Sequence, residues 1–324
     1  MPDMRSGVAG YADGLLSGAT WGIVAVLLDQ VASRIPGHWP LATPLVLAAG
    51  HDLAAAVFLL GRLGIARALP SALRLVRSRL GLTIVACSFL GGTVFMGGYL
   101  IALVQAGPSY ALTATAMYPV FGALFARRLL GQRLNRIAWL GVIVAVAGAA
   151  ITAIDAGSAA DGAPALIGIV IALVADAGPA LEGIIATRAM MTVDPDTAMA
   201  VRQMLSAIQM GLLVLVVPHG ESIAAVVVRA PGLGLPLIVA GFIGGYSWAA
   251  WYRSITKIGI AKAMTLNITY AMWGVLFAWL FVRTAPSPLV VAGCVVVSAG
   301  AALVIMSGER LDEGKPDGPE ERIG

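Results

Sequence analysis

Apolar runs of about 20 residues recur along almost the whole chain, and this pattern constrains the fold more than any other feature. A run of that length forms a helix about 30 Å long, which crosses the hydrocarbon core of a bilayer. Polar residues, proline and glycine separate the runs. Ten runs are recognised, over 11–31, 43–62, 80–104, 108–130, 136–154, 164–187, 197–217, 236–256, 260–283 and 286–307. The sequence therefore predicts an all-α polytopic membrane protein.

The composition agrees with this class. Hydrophobic residues make up 59% of the 324 residues and charged residues only 12%, with a mean hydropathy of +0.89. A soluble domain has roughly a quarter of its residues charged. The basic residues lie between apolar runs instead of forming a stripe, so we expect no nucleic-acid partner. Cys87 and Cys294 both lie in apolar runs, and we expect neither a disulfide framework, a metal site nor a cofactor.

Lys and Arg residues predict how the chain is oriented, because cytoplasmic loops carry an excess of them. With the N-terminus inside, seventeen of the 21 lie in predicted cytoplasmic segments. Arg34, Arg229 and Arg283 lie outside, and Arg202 lies within the seventh run. This bias predicts a cytoplasmic membrane of the bacterial type with both termini cytoplasmic. The tail over 308–324 is rich in Glu, Asp, Gly and Pro, and is predicted to be disordered.

The chain contains an internal repeat at a constant shift of 152 residues. The matched pairs are Gly107 with Gly259, Ala111 with Ala263, Tyr118 with Tyr270, and Gly122 with Gly274, followed by a shared Leu-Phe-Ala. The ten runs thus divide into a first repeat over 1–155 and a second over 156–307. Five is an odd number, so the halves must cross the membrane in opposite senses. Inverted repeats are typical of secondary transporters, with the substrate site where the halves meet, although a duplicated bundle without transport activity is an alternative.

Ten helices in two five-helix repeats, each with Gly-x-x-x-Ala in its fourth helix, resemble the drug/metabolite transporter superfamily with its EamA-type repeats. Several stretches are more narrowly similar to bacterial Lic-type choline transporters. These are Gly14 to Gly22, His51-Asp52, Tyr99 to Pro119, Arg202-Gln203 and Leu266 to Trp273. Where those proteins have Trp-Gly-x-Glu in the sixth helix, this chain has Pro179-Ala180-Leu181-Glu182, so the glutamate is kept and the aromatic residue is lost. The resemblance implies a secondary transporter that works by alternating access.

Ionisable residues inside apolar runs cost about 2.5 to 3.5 kcal/mol on insertion scales, so each is a candidate for function. The candidates for ion coupling or the substrate pathway are His51, Asp52, Asp176, Arg202 and Gln203, with a proton or a sodium ion as the candidate coupling ion. Asp52 has a structural alternative, a pair with His51 or Arg202. Arg202 could clamp a substrate carboxylate or extend to the cytoplasmic surface. Asp29, at the outer end of the first run, is expected to be structural.

Aromatic faces attract poorly hydrated cations, and an acidic residue nearby would complete a site for an organic cation. The candidate substrate-binding residues are Trp21, Tyr99, Tyr118, Glu182, Tyr246, Asn267, Tyr270 and Trp273. Packing or interface anchoring is the alternative for any single aromatic residue. In the eighth run we expect Tyr246 to reach the cavity and Trp248, 200° away on the helix, to pack or meet lipid. Glu182 and Asp176 are 240° apart on an ideal helix, although Gly178-Pro179 between them can kink it.

The motifs of intramembrane proteases, zinc hydrolases and serine hydrolases are not found in the sequence, so an enzyme is not expected. No P-loop is found either, which favours secondary over ATP-driven transport. The favoured substrate is a cation or zwitterion such as choline or a related amine. An exporter of amino acids or drug-like compounds is the alternative, and a non-transporting membrane scaffold is a second alternative. The expected partners are a small-molecule substrate and the lipid bilayer, with a homodimer as the candidate assembly.

Overall fold

The computed structural model describes residues 4–37, 39, 41–106, 117–131, 134–154, 163–283 and 285–307. All secondary structure in this part of the chain is helical. The helices of the N-terminal half are α1 (Met4–Ala32), α2 (Ala42–Ile65), α3 (Leu69–Arg77), α4 (Arg79–Ser88), α5 (Gly97–Ala106), α6 (Tyr118–Leu129) and α7 (Arg136–Ile154). A π-helical segment, Phe89–Met96, joins α4 to α5 without a break.

The C-terminal half follows the same plan. Its helices are α8 (Ala163–Ala189), α9 (Pro195–Val216), α10 (Gly220–Arg229), α11 (Pro231–Ile258), α12 (Ile260–Asn267), α13 (Tyr270–Phe277) and α14 (Pro288–Met306). The π-helical segment Ala278–Val282 extends α13. Gly259 separates α11 from α12 with a φ of +82°, a conformation that side chains other than glycine rarely adopt.

Seven stretches among the described residues are long and apolar enough to cross a membrane. They are Gly7–Ala32, Ala42–Ile65, Arg79–Ile101, Pro195–Val216, Pro231–Ile258, Ile260–Val282 and Pro288–Met306. The prediction of a multi-pass all-α membrane protein is therefore confirmed. The start of the fourth predicted run and the tail over 308–324 lie outside the described residues. The ten-helix inverted repeat and the domain boundaries stay a prediction.

Three long helix pairs form the frame of the bundle: α1 packs along α11, α2 along α9, and α7 along α14. The buried apolar residues form two clusters. One contains Leu28 of α1, Leu47 of α2 and Leu237 of α11; the other contains Trp251, Tyr252 and the residues of α12 around Met264. Trp21 packs against both clusters. It therefore lies at the boundary between the two halves of the core.

Helix α8 continues through Pro179 as a single helix from Ala163 to Ala189, so the predicted irregularity at Gly178-Pro179 does not end it. The glycine has a packing role. A Cβ atom on Gly178 would lie 2.4 Å from the carbonyl oxygen of Leu90. The absent side chain lets the π-helical segment lie directly against α8, which brings Phe95 close to the centre of the bundle.

Candidate functional site: a central aromatic cavity

A small cavity lies at the centre of the bundle, between α1, α6, α8, α11 and the α12–α13 junction. Its lining consists of Ser17, Trp21, Phe95, Tyr118, Pro179, Ser247, Trp248, Trp251, Asn267 and Tyr270. The volume open to a water-sized sphere is ≈ 20 Å³, which is room for about one water molecule. This conformation is closed around the cavity, and even a small amine would require the lining to move apart.

Aromatic rings form most of the wall and contact one another edge to face. The ring of Trp248 lies 5.5 Å from that of Trp21 and 5.4 Å from that of Trp251, with interplanar angles of 71° and 78°. Phe95 approaches Trp248 at 6.4 Å and 85°. Tyr118 and Tyr270, which are partners in the internal repeat, both contribute to the wall. Several π-faces therefore surround one small space, which is the arrangement that binds quaternary ammonium groups.

A short chain of hydrogen bonds supplies the polar part of the wall. Tyr118 donates its hydroxyl to the side-chain oxygen of Asn267, and Asn267 donates from Nδ2 to the Ser17 hydroxyl at 2.7 Å. Ser247 donates to the carbonyl oxygen of Ser17 at 2.8 Å. The indole Nε1 of Trp251 is buried and has no hydrogen-bond partner among the described residues. Trp251, a residue of this wall, thus has a donor that is unsatisfied in this closed conformation.

The structure reverses the predicted orientation of α11. Trp248 and Trp251 line the cavity, whereas Tyr246 is not part of its wall and instead lies under the guanidinium group of Arg253 at 5.6 Å. The helical wheel separates Tyr246 from Trp248 by 200°, and the two side chains have different surroundings in the structure. It could not show which face points inward. In the structure α11 lies close to α2 at Gly244, where a Cβ atom would lie 2.1 Å from His51 Nε2.

Two other predicted substrate-binding aromatic residues lie outside this wall. Tyr99 stacks on Phe95 at 6.2 Å and lines a second cavity, described below. Trp273 stacks on Phe277 at 6.1 Å and fits against Gly22, where a Cβ atom would lie 2.7 Å from the Trp273 side chain. A direct contact between Trp273 and a molecule in the central cavity is therefore not supported by this conformation.

Glu182 also lies outside the cavity wall, because it is engaged by Arg202. The guanidinium group of Arg202 donates from Nε to Oε1 at 2.7 Å and from Nη2 to Oε2 at 3.0 Å, and Tyr252 donates its hydroxyl to Oε1 at 2.9 Å. Both charged side chains are buried, with exposures of 1% and 0%. A Cβ atom on Gly91 would lie 1.5 Å from Oε2, so the pair is closely packed. Arg202 neither extends to the surface nor presents a free guanidinium group.

The remaining candidates for coupling continue this network. Asp52 accepts from Ser206 at 2.5 Å through Oδ2, and its Oδ1 lies 2.9 Å from His51 Nδ1. Gln203 accepts from Arg202 Nη1 at 2.9 Å. All are buried. The structural alternative for Asp52, a pair with His51, is thus present. His51 also packs edge-on against Trp21 at 5.7 Å, with Nε2 lacking a hydrogen-bond partner among the described residues.

Asp176 differs from every other buried acid described. Its side chain is 0% exposed, and neither carboxylate oxygen has a hydrogen-bond partner in the described part of the chain. It precedes Pro179, a member of the cavity wall, by three positions on α8, and residues three apart lie on one face of a helix. An ionised carboxylate in such surroundings is costly, so this group is stable only with a bound proton or cation.

An ionic network closes one end of the bundle, which we call the arginine-rich end. Arg253 contacts Asp13 at 3.3 Å and Asp196 at 2.5 Å, Lys257 contacts Asp13 at 2.6 Å, and Arg62 contacts Asp196 at 3.5 Å. These residues join the ends of α1, α2, α9 and α11. The predicted cytoplasmic loops emerge at this end. No group of three or more metal-binding side chains is present in the described ranges.

The fold and the cavity define a multi-pass helical membrane protein with an enclosed site between its helices. The EamA-like transporter family matches residues 8–154 and again residues 166–306, and the chain belongs to this family of membrane transporters. Protein LicB of Haemophilus influenzae is 22% identical to it over 216 residues, covering 67% of this chain and 72% of that protein. A solved crystal structure superposes over 96% of this chain and 99% of its own, with a TM-score of 0.68 at 18% identity. That likeness shows the fold alone.

Several cavity residues were not predicted from the sequence. Phe95, Ser17 and Ser247 carry no charge and lie in uniformly apolar runs, so no local pattern distinguishes them. Trp251 had a signal, since it matches Tyr99 at the 152-residue shift. Its position next to Arg253 instead favoured an interface anchor.

Proposed function

We propose that this protein is a secondary transporter that carries a small organic cation, of the choline or related amine kind, across the cytoplasmic membrane by alternating access. We further propose that it has ten transmembrane helices in two inverted five-helix repeats, with both termini cytoplasmic. The two separate stretches matched by one family support the repeat. One observation carries the substrate class: the central cavity is walled by aromatic rings, with an unpartnered buried acid close to its wall.

The state of Arg202 favours a cation over an amino acid. A transporter that clamps a substrate carboxylate needs a basic group free to bind it. Here Glu182 accepts from Nε and Nη2 of the guanidinium group and Gln203 accepts from Nη1. The face of the guanidinium group lies over the Trp248 ring at 4.8 Å. Releasing it would leave Glu182 charged and buried without its partner. The runner-up, an amino acid exporter, would require that rearrangement.

Asp176 is proposed as the coupling residue. A carboxyl group that holds a proton in the closed, empty state can release it when an organic cation enters nearby, because the cation then balances the negative charge. Tyr118 is a titratable residue of the cavity wall, and its helix α6 packs against α8, which carries Asp176. Binding of a cation should therefore strengthen as pH rises, since fewer protons compete for Asp176.

Binding by the purified protein tests the substrate class. We expect choline and tetramethylammonium to raise the apparent melting temperature in detergent, because a ligand that binds only the folded state stabilises it. Glycine and glutamate should not. Trp251→Phe keeps the aromatic ring but removes the N–H donor. It should weaken choline binding about tenfold, the value of one hydrogen bond of about 1 kcal/mol or slightly more, and leave tetramethylammonium unchanged.

Flux in proteoliposomes separates a transporter from a scaffold. Wild-type protein should accelerate entry of labelled choline, and an inward or outward pH gradient should alter the rate if Asp176 couples transport to protons. Stabilisation by amino acids with none by amines would reject the cation. Binding without flux under any gradient would favour the scaffold.

A further inference from the structure

A second cavity opens at the end of the bundle opposite the arginine-rich end. It is formed by α1, the start of α2 and α5, and its lining comprises Trp21, Ala25, Leu28, Asp29, Ala32, Thr43, Pro44, Leu47, Tyr99 and Leu100. Its volume open to a water-sized sphere is ≈ 60 Å³, against ≈ 20 Å³ at the centre. We call it the outer vestibule, because this end is predicted to face away from the cytoplasm.

The vestibule carries a negative charge without a partner. Asp29 is exposed, and its carboxylate makes no hydrogen bond or ion pair with any described residue. The nearby Arg34 donates to Gln30 at 3.3 Å instead. Below Asp29 the lining is apolar except for Thr43 and Tyr99, so the field of the carboxylate is only partly screened there. A carboxylate in the same cavity lining as two aromatic rings, those of Tyr99 and Trp21, matches an organic ammonium ion.

Trp21 is the boundary between this vestibule and the central cavity, because it contributes to both linings. Its indole is held from two sides, by His51 at 5.7 Å and by Trp248 at 5.5 Å. It also lies between the two apolar core clusters. Trp21 is thus the side chain that the two linings share, whereas the arginine-rich end is closed by several ion pairs on four helices.

We propose that Asp29, Tyr99 and Trp21 form an outer cation-binding site, from which an organic ammonium ion reaches the central cavity past the indole of Trp21. This inference rests on the proposed function, since it assigns the route of the same substrate. Asp29 attracts the ion from solution, Tyr99 and Trp21 hold its apolar surface, and the Trp21 indole controls entry to the centre.

The first experiment removes the charge at the mouth. Asp29→Asn should raise the half-saturating choline concentration for flux three- to tenfold at 20 mM salt, with the maximal rate unchanged. The effect should shrink at 500 mM salt, because screening shortens the reach of the charge. The matched control is Glu221→Gln, which removes an exposed carboxylate at the start of α10 that is not part of the vestibule lining. Equal behaviour of the two variants overturns the role of Asp29. Failure of the wild-type protein to bind or move choline overturns the proposed function instead.

The second experiment tests Trp21 as the boundary. In a background with Cys87 and Cys294 replaced by alanine, Ser17→Cys places a thiol in the central cavity and Ala25→Cys places one in the vestibule. A membrane-impermeant thiol reagent bearing a trimethylammonium group is added from the Asp29 side. Trp21→Ala should accelerate labelling at position 17 at least tenfold and leave labelling at position 25 unchanged. An unchanged rate at position 17, with position 25 still reactive, overturns the boundary role.

Discussion

Two carboxylates lie six positions apart on α8 and are both completely buried, yet their surroundings are opposite. Glu182 receives three hydrogen bonds, two from Arg202 and one from Tyr252. Asp176 receives none from the described residues. The first acid is part of the framework that joins α8 to α9 and α11. The second acid has no neutralising partner among the described residues, so a proton or a cation has to bind to it.

The contrast assigns separate tasks to residues that the sequence grouped together. Glu182 was predicted to contact the substrate and Asp176 to belong to the pathway. In the structure, Glu182 and Arg202 neutralise each other beneath Trp248, which leaves the aromatic wall without a net charge from this pair. Among the buried acids that the structure describes, Asp176, three positions before Pro179, is the one left to respond to a cation. Variants that remove each acid or its partner should therefore lower the stability of the folded protein by different amounts.

Glu182→Ala should have the largest effect. It leaves the Arg202 charge buried without its partner, and breaking a buried pair on one side costs about 3 to 5 kcal/mol. We expect a steep fall in apparent melting temperature and in the yield of folded protein. The double variant Glu182→Gln with Arg202→Met has no buried charge, and it should recover most of the stability. Poor folding of both variants to the same degree would show that the pair itself is not the cause.

The pairing of Glu182 with Arg202 could not be predicted from the sequence alone. Hydropathy located the described membrane-spanning helices because each long apolar run must bury its backbone polar groups inside a helix. The same information could not pair Arg202 with Glu182. Twenty residues and a turn between α8 and α9 separate them, and the choice among Asp52, Glu182 and a substrate carboxylate depends on how the helices pack.

The same limit applies to the cavity wall. The repeat related Tyr118 to Tyr270, and both line the cavity, because symmetry-related helices present equivalent faces. The rotation of α11 was not accessible, since a helical wheel fixes the angle between Tyr246 and Trp248 but not the direction of the core. That direction depends on contacts between residues far apart in the chain, such as the close approach of Gly244 to His51 of α2.

Tyr252→Phe should have a smaller effect than removing the acid. It deletes the hydroxyl that donates to Glu182 Oε1 at 2.9 Å but leaves the bidentate contact with Arg202 intact. A hydrogen bond to a charged group contributes about 1.5 to 3 kcal/mol. The melting temperature should therefore fall by less than in Glu182→Ala, by roughly half as much. A loss as large as that of Glu182→Ala would mean that Tyr252, not Arg202, is the main partner.

Asp13→Asn tests a pair of the same chemistry in a different solvent environment. Asp13 contacts Lys257 and Arg253 at the arginine-rich end, where the three side chains are 14%, 30% and 20% exposed. Ion pairs near water contribute about 0 to 1 kcal/mol and weaken with salt. We expect a small decrease in melting temperature that disappears at high ionic strength. A salt-insensitive loss comparable with that of Glu182→Ala would contradict the distinction between buried and partly exposed pairs.

Asp176→Asn should change stability least and function most. The amide has the size of the carboxyl group and replaces one buried, unpartnered polar group by another, so the free energy of unfolding should change by less than about 1 kcal/mol.

The amide of the Asp176→Asn variant can no longer gain or lose a proton. Choline binding should become weaker and independent of pH between 5 and 8, whereas binding by the wild-type protein should strengthen as pH rises. Asn267→Ala, which alters another part of the cavity wall, should keep the pH dependence while weakening binding. A pH-dependent Asp176→Asn variant would transfer the coupling role to another group, with His51 beside Trp21 as the next residue to replace.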